Sequence, residues 1–316
     1  MRRDLIILGG GPAGLTAGMY ASRARIDTLL LEKGLSGGQI NNTAMVENYP
    51  GVEPISGAEL GALMEKQALN FGVNIERVHV KAVFHGSEGF EVATDSEARY
   101  YSRTLILAQG ASPVKLGIPG EERLGGIGVS YCAVCDGPFF HDQDIAVVGG
   151  GDSAVEESVY LTRFAKSVHL IHRRDELRAV KELQEIAINE PRIHIHWSTV
   201  PVEVLGTTGV EGLKIRSVND GSEDVLPVYG VFFYVGLLPN PLEGLNALVH
   251  TDDRGFIITD ANMACITPGL FAAGDVRAKT LRQISTAVGD GAAAAYSAQQ
   301  FLEKQCLTAV PRTATQ

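Results

Sequence analysis

The chain has 316 residues, 45% of them hydrophobic, enough for two ordinary domain cores and too many for a disordered chain. A formal net charge of −10 excludes a general nucleic-acid binder, which needs a basic surface. No stretch approaches the roughly 20 continuous apolar residues of a membrane span. The apolar run after Arg2-Arg3 breaks at Gly9, too early for a signal peptide, so a cytoplasmic location is expected.

The first elements are a short buried strand over Leu5 to Leu8, a helix over about residues 13 to 25, and a strand from Thr28 to Leu31. Between the first strand and the helix lies Gly9-x-Gly11-x-x-Gly14, and Glu32 ends the second strand. This is a βαβ dinucleotide fingerprint. Gly9 permits the tight turn, Gly11 lets a pyrophosphate approach the backbone, and Gly14 lets helix pack on strand. Pro12 and Ala13 open the helix whose N-terminus faces the pyrophosphate. Glu32 is placed to bond a ribose hydroxyl pair.

Antiparallel strands are expected over about 74 to 107, closing in Leu105 to Gly110, with Pro113 following. Next comes Cys132-Ala-Val-Cys135-Asp136. With only four cysteines in the chain, such a pair is either redox or metal chemistry. Residues 145 to 154 then repeat the first pattern, strand followed by Gly149-x-Gly151-x-x-Ala154. Glu32 stands 18 residues after Gly14, and His172 stands 18 residues after Ala154. An acid at this position suits a free ribose. His172-Arg173-Arg174 with Arg178 suits a 2′-phosphate, which a carboxylate would repel. The second site therefore fits NADP(H). A second antiparallel stretch, about 193 to 235, closes in VFFYVG before Pro239 and Pro241. The second unit is inserted in the first, which resumes near residue 240. There a strand delivers Asp275 to a loop, and an alanine-rich helix follows over about 285 to 302.

These motifs together resemble the low-molecular-weight, NADPH-dependent thioredoxin reductases over nearly the full length. They are GGGPAG (9–14), SGGQ with ENYPG (36–39, 47–51), CAVCDG (132–137), GGGDSAVEE (149–157), HRRDELR (172–178), GLFAAGDV (269–276) and RQI (282–284). The resemblance implies an α/β fold of two Rossmann-like, three-layer dinucleotide-binding domains, the second inserted in the first. An FAD domain over 1–115 and 240–316 would hold an NADPH domain, 116–239, that carries the CxxC. It also implies a homodimer with thioredoxin as the protein substrate.

By the same resemblance, FAD contacts Gly9 to Gly14, Glu32, Lys33, Gly38, Gln39 and Asn48. Further contacts come from Val80, Ala108 and Gly110, and from Gly274, Asp275, Arg282, Gln283 and Ile284. NADPH contacts Gly150, Gly151, Asp152 and Ser153 besides His172, Arg173, Arg174 and Arg178. Two positions depart from the family. Ala108-Gln109-Gly110 stands where Ala-Thr-Gly is usual, and Pro138 stiffens the approach to Phe139 and Phe140.

Zinc would need four ligands, commonly from two paired knuckles, but Cys265 and Cys306 are lone and far apart. No metal is expected, and the pair reads as a redox disulfide. The family pattern makes Cys135 the flavin-facing sulfur and Cys132 the thiol that attacks the partner. Asp136 beside Cys135 is a proton carrier, since a carboxylate next to a thiolate raises its pKa. Electrons then run from NADPH through FAD and Cys132–Cys135 to thioredoxin, with domain rotation between half-reactions. Three alternatives are weighed against this, one of which, a two-domain ferredoxin–NADP reductase of similar shape, lacks the CxxC. A reductase fed by ferredoxin or a second flavin has no need of the arginine cluster. A non-catalytic redox sensor has no need of Asp136.

Overall fold

The computed structural model describes residues 2–43 and 45–309, with side chains described up to residue 305. It divides into two compact units: residues 1–41, 49–112 and 238–316 form one, and residues 42–48 and 113–237 the other.

The first unit begins with β1 (Arg2–Leu8), α1 (Pro12–Arg23) and β2 (Thr28–Glu32). Then come α2 (Gly57–Asn70), β3 (Asn74–Arg77), β4 (Val80–Gly86), β5 (Gly89–Thr94) and β6 (Arg99–Leu107). Ser56 caps α2 through a capping box with Glu59. The strand order is β3-β2-β1-β6-β5-β4. β3, β2, β1 and β6 run parallel, whereas β4, β5 and β6 pair antiparallel. So the stretch expected to be wholly antiparallel supplies β3 to the parallel sheet as well. β7 (Ala111–Pro113) follows.

The second unit contains β8 (Val129–Ser130), α3 (Ala133–Asp136), β9 (Asp144–Gly149), α4 (Asp152–Leu161) and β10 (Ser167–Ile171). It continues through α5 (Lys181–Asn189), β11 (Ile193–His196), β12 (Thr199–Leu205), β13 (Gly212–Ser217), β14 (Glu223–Leu226) and β15 (Gly230–Tyr234). Its five-stranded sheet, β11-β10-β9-β15-β8, is parallel throughout. Only β12, β13 and β14 form the antiparallel layer, a smaller one than the sequence suggested. β11 and β15 pair in parallel with β10 and β9 instead.

The chain returns through β16 (Leu237–Pro239), which pairs with β7. After β17 (His250–Thr251) and β18 (Ile257–Ile258), β19 (Leu270–Ala272) adds to the C-terminal half of β6, and α6 (Ile284–Ala309) ends the described chain.

Alternation along each strand builds three layers, because successive strand side chains point to opposite faces. In the first unit Leu5 and Ile7 pack with α1 and α6 residues such as Ala17 and Ala294. Ile6 and Leu8 pack on the other face with Val83, Val92 and Leu248. In the second unit Ile145 and Val147 face Val155 and Leu161 of α4. Ala146 and Val148 face Val204, Leu213 and Leu226 of the antiparallel layer.

Candidate functional site

The loop from β1 into α1 is shaped by its glycines. Gly9 has φ +105°, and a Cβ there would lie 2.4 Å from Ala108 O. A Cβ on Gly14 would lie 1.8 Å from Gly9 O, so Gly14 is a packing residue rather than a lining one. Gly11 is open, with only Gly37 O near, at 3.9 Å. The backbone can be approached there, at a helix N-terminus with no side-chain cap.

A cavity of about 330 Å³ starts at this loop. It is lined by predicted residues from every part of the first unit: Gly9, Gly11, Pro12 and Ala13; Glu32, Lys33, Gly38 and Gln39; Ala108 and Gly110; Gly274, Asp275, Gln283 and Ile284. Glu32 is held by the amides of Gly10 (2.6 Å) and Gly34 (2.9 Å). At the far end Asp275 Oδ1 is buried without a hydrogen-bond partner, with Lys279 Nζ standing off at 3.9 Å. Burial pushes the Asp275 carboxyl above the usual range, against the opposing charges of Lys279 and Arg282. A hydroxyl-bearing ligand would satisfy it.

Three further predicted residues are not among those that line this cavity. Val80 lines a second, adjoining cavity. Arg282 donates to the carbonyls of Asp275, Lys279 and Arg277 and stacks 4.0 Å over Phe256, so it braces the Asp275 loop from behind. Asn48 lines neither cavity and groups with the second unit. Sequence reasoning missed Asn240 and Asp290. Asn240 donates to Gln109 O (2.6 Å) and accepts from Ser112 (2.8 Å). Asp290 accepts from Gly274 N (3.0 Å) and pairs with Arg277 and Lys279. Neither lies in a local motif, and Asn240 matters through Gln109, 131 residues away.

In the second unit the loop before α4 repeats the arrangement. Gly151 is open, and α4 has no side-chain cap. Arg178 N bonds Gly150 O at 2.7 Å, which holds the arginine segment against the glycine loop. Asp152 accepts from Val180 N at 2.8 Å, tying the same two segments together. Ser153, Arg173, Arg174 and Arg178 are exposed. His172 differs from the arginines. It is 4% exposed, and its two ring nitrogens each sit 2.9 Å from a carbonyl, those of Gly149 and Glu176. A Cβ on Gly150 would fall 2.1 Å from its Nδ1. His172 is packed beneath the loop, whereas Arg173, Arg174 and Arg178 are exposed beside it.

Cys132 and Cys135 form a disulfide across the single turn of α3, with Cα atoms 5.3 Å apart. Both cysteines are half-buried. The Cys135 amide donates to Cys132 Sγ at 3.2 Å. Ser130 Oγ accepts from Cys132 N (3.0 Å) and donates to Asp136 Oδ2 (2.6 Å). The Tyr234 hydroxyl accepts from Ala133 N (2.6 Å), fixing α3 to the end of β15. Burial raises the Asp136 pKa, while the Ser130 hydrogen bond opposes the rise. A carboxyl whose pKa is raised beside a disulfide is suited to pass a proton to a departing thiolate. Ser130 and Tyr234 were not legible as parts of this centre. Cys265 is half-buried with its thiol pushed up to about 12 by burial, an inert packed residue. Among the described residues no cluster could hold a metal ion. The side chain of Cys306 lies outside the described residues.

Comparison with known proteins agrees with this arrangement. Residues 3–291 match the family described as pyridine nucleotide-disulphide oxidoreductase. The chain is 51% identical to the thioredoxin reductase of Listeria monocytogenes, over 95% of this chain and 94% of that protein. It is 46% identical to the thioredoxin reductase of Bacillus subtilis, over 95% of each. The crystal structure of thioredoxin reductase from Streptococcus pyogenes superposes with a TM-score of 0.92 at 46% identity, covering 96% of this chain and 99% of that one. With half its residues shared across almost its whole length, a paired CxxC and two glycine loops, the chain belongs to the thioredoxin reductases of the pyridine nucleotide-disulphide oxidoreductase family.

Proposed function

We propose that the first unit binds FAD, that the second binds NADPH and carries the redox disulfide, and that together they reduce thioredoxin. The observation that carries this is one disulfide, Cys132–Cys135, in the same unit as an arginine-flanked glycine loop, in a chain whose other unit holds an acid-ended one. The 330 Å³ cavity fits FAD: an open Gly11 for the pyrophosphate, Glu32 for a ribose, and Asp275 Oδ1, buried and free of hydrogen bonds, for the sugar-alcohol chain. Bound flavin supplies hydride acceptance from NADPH and two-electron delivery to a disulfide.

The protein's own residues do the rest. Two electrons and one proton open Cys132–Cys135 to one thiolate and one thiol, the proton coming from Asp136. Cys132 attacks the thioredoxin disulfide and expels one thioredoxin thiolate, which takes up a proton. Cys135 returns its proton to Asp136 and attacks Cys132 Sγ, releasing the second thioredoxin thiolate, which takes up a proton, and restoring Cys132–Cys135. Because Cys135 shares a unit with Gly151 and not with Glu32 or Asp275, it must meet the flavin in one half-reaction and thioredoxin in the other. We infer that the units rotate between them, about connectors near residues 113–119 and 236–241. No helix among the described residues is long and apolar enough to cross a membrane. A cytoplasmic homodimer completes the reading, on the family resemblance; size-exclusion chromatography with light scattering tests the dimer.

The direct test is NADPH-dependent reduction of thioredoxin, with NADH in parallel. NADPH should be strongly preferred. Arg173, Arg174 and Arg178 each contribute about 1.5–3 kcal/mol as charged hydrogen bonds to the 2′-phosphate. Arg173→Gln with Arg174→Gln should raise the KM for NADPH and leave that for NADH unchanged. Equal use of both nucleotides by the unaltered enzyme refutes the assignment. A ferredoxin-fed enzyme would leave these three arginines without a task.

The partner surface includes Phe139. Phe140 is 9% exposed, packed edge-on against Phe232 at 5.2 Å, whereas Phe139 is 42% exposed. Phe139 therefore is the ring placed to pack on thioredoxin, and Phe140 is core. Phe139→Ala should raise the KM for thioredoxin about 30-fold, corresponding to about 2 kcal/mol for an aromatic anchor. Reduction of a small chemical disulfide and the melting temperature should not move. Phe140→Ala should instead cost about 3–5 kcal/mol of stability. Equal loss on both substrates in Phe139→Ala would remove the interface role.

A further inference from the structure

We infer that Gln109 reads the adenine ring of the flavin dinucleotide, through its side-chain amide. The inference rests on the proposal that this unit binds FAD. Gln109 follows β6, and both ends of its amide, Oε1 and Nε2, are buried without a hydrogen-bond partner. Buried polar atoms are almost always paired, and leaving both a donor and an acceptor unpaired is a cost the fold does not recover by itself. The backbone at this point is not loose. Gln109 O accepts from Asn240 at 2.6 Å, Asn240 N donates to Gly110 O at 3.0 Å, and Ser112 holds Asn240 Oδ1 at 2.8 Å. The side chain is thus set by a fixed main chain, not by a mobile loop.

Its position selects the ligand group. Gln109 lines both the main cavity and the adjoining one, which share Gly9, Glu32, Lys33 and Asn240. Asp275 lines only the main cavity, so the sugar-alcohol end lies there. Beyond Glu32, where the ribose is held, the second cavity has apolar walls from Leu31, Val78, Val80 and Leu242. A base attached to that ribose enters this space. Apolar walls take its faces, and its edge needs one acceptor and one donor. A glutamine amide is the side chain that supplies both in one plane, and adenine presents the matching amino group beside a ring nitrogen. Oε1 then accepts from the 6-amino group and Nε2 donates to the ring nitrogen.

The test measures binding, not turnover. Apoprotein, stripped of flavin, is titrated with FAD and with the analogue in which purine replaces adenine and the 6-amino group is missing. Flavin fluorescence reports the Kd. The unaltered protein should bind FAD about 5- to 150-fold tighter than the analogue, the range for leaving one buried partner unpaired. In Gln109→Leu the two ligands should bind within about twofold of each other, with FAD weakened. Gln109→Thr, shorter and polar, should also lose the discrimination, and serves if the leucine variant does not fold. The same FAD-to-analogue ratio in the unaltered and variant proteins overturns the role of Gln109 while leaving FAD binding intact. No binding of either ligand by the unaltered apoprotein overturns the flavin assignment itself.

Discussion

Cys132→Ser should abolish thioredoxin reduction while NADPH still reduces the bound flavin. The two sulfurs are close to symmetric in exposure. The Cys135 amide points at Cys132 Sγ at 3.2 Å, and a donor aimed at sulfur favours its thiolate. That suits Cys132 to attack an incoming disulfide. With this sulfur replaced by a hydroxyl, Cys135 remains as a lone thiol, able to approach the flavin and unable to form the internal disulfide. No electrons can leave to thioredoxin, so turnover should fall to background. A long-wavelength thiolate-to-flavin absorption band should appear in Cys132→Ser. Appearance of the band in Cys135→Ser and not in Cys132→Ser would reverse the two roles.

Asp136→Asn should slow disulfide turnover by about 10²–10⁴, the usual worth of a positioned general acid. Asparagine keeps an acceptor for Ser130, so the hydrogen bond that now measures 2.6 Å has a replacement and α3 should stay in place. The sign of the pH dependence follows from burial, which raises the Asp136 pKa, with the Ser130 bond partly opposing it. The proton-donating form persists to higher pH than in an exposed carboxyl, and the rate of the unaltered enzyme should decline as pH rises through that elevated value. The variant should lack this limb. Stability moves the other way. An acid whose folded pKa is raised binds more protons folded than unfolded, so it weakens the fold above its folded pKa. That penalty fades as pH falls towards the unfolded value. Asp136→Asn should therefore melt higher than the unaltered protein in alkaline buffer and converge with it in acid. An activity loss with the same pH profile as the unaltered enzyme would show a positional effect instead of lost proton transfer.

Much of this protein is local in origin, and so was legible in the chain. The two glycine loops, the strands before them and the acid or arginines after them each fall within a stretch of some thirty residues. Their roles depend on backbone sterics and charge that neighbouring residues set. The CxxC with Asp136 is local for the same reason, and its spacing brings the two sulfurs together across one helical turn. What tertiary structure decided involves partners far apart in the chain. Strand direction is one case: β3, β11 and β15 joined parallel sheets by pairing their backbones with β2, β10 and β9, a register that the sequence does not display. His172 is another. Its position in the motif suggested a ligand contact, and the fold buries it under Gly150 with a ring nitrogen 2.9 Å from each of two carbonyls. Arg282 became a brace because three loop carbonyls and the Phe256 ring surround it. Gln109 is the clearest case. In the sequence it is a bulkier amide at one position of a motif. Only the fold shows that its main chain is pinned by Asn240, 131 residues away, while its amide is buried with nothing in the protein to bond. Burial and hydrogen-bond satisfaction are sums over the whole neighbourhood, and no window of sequence contains them.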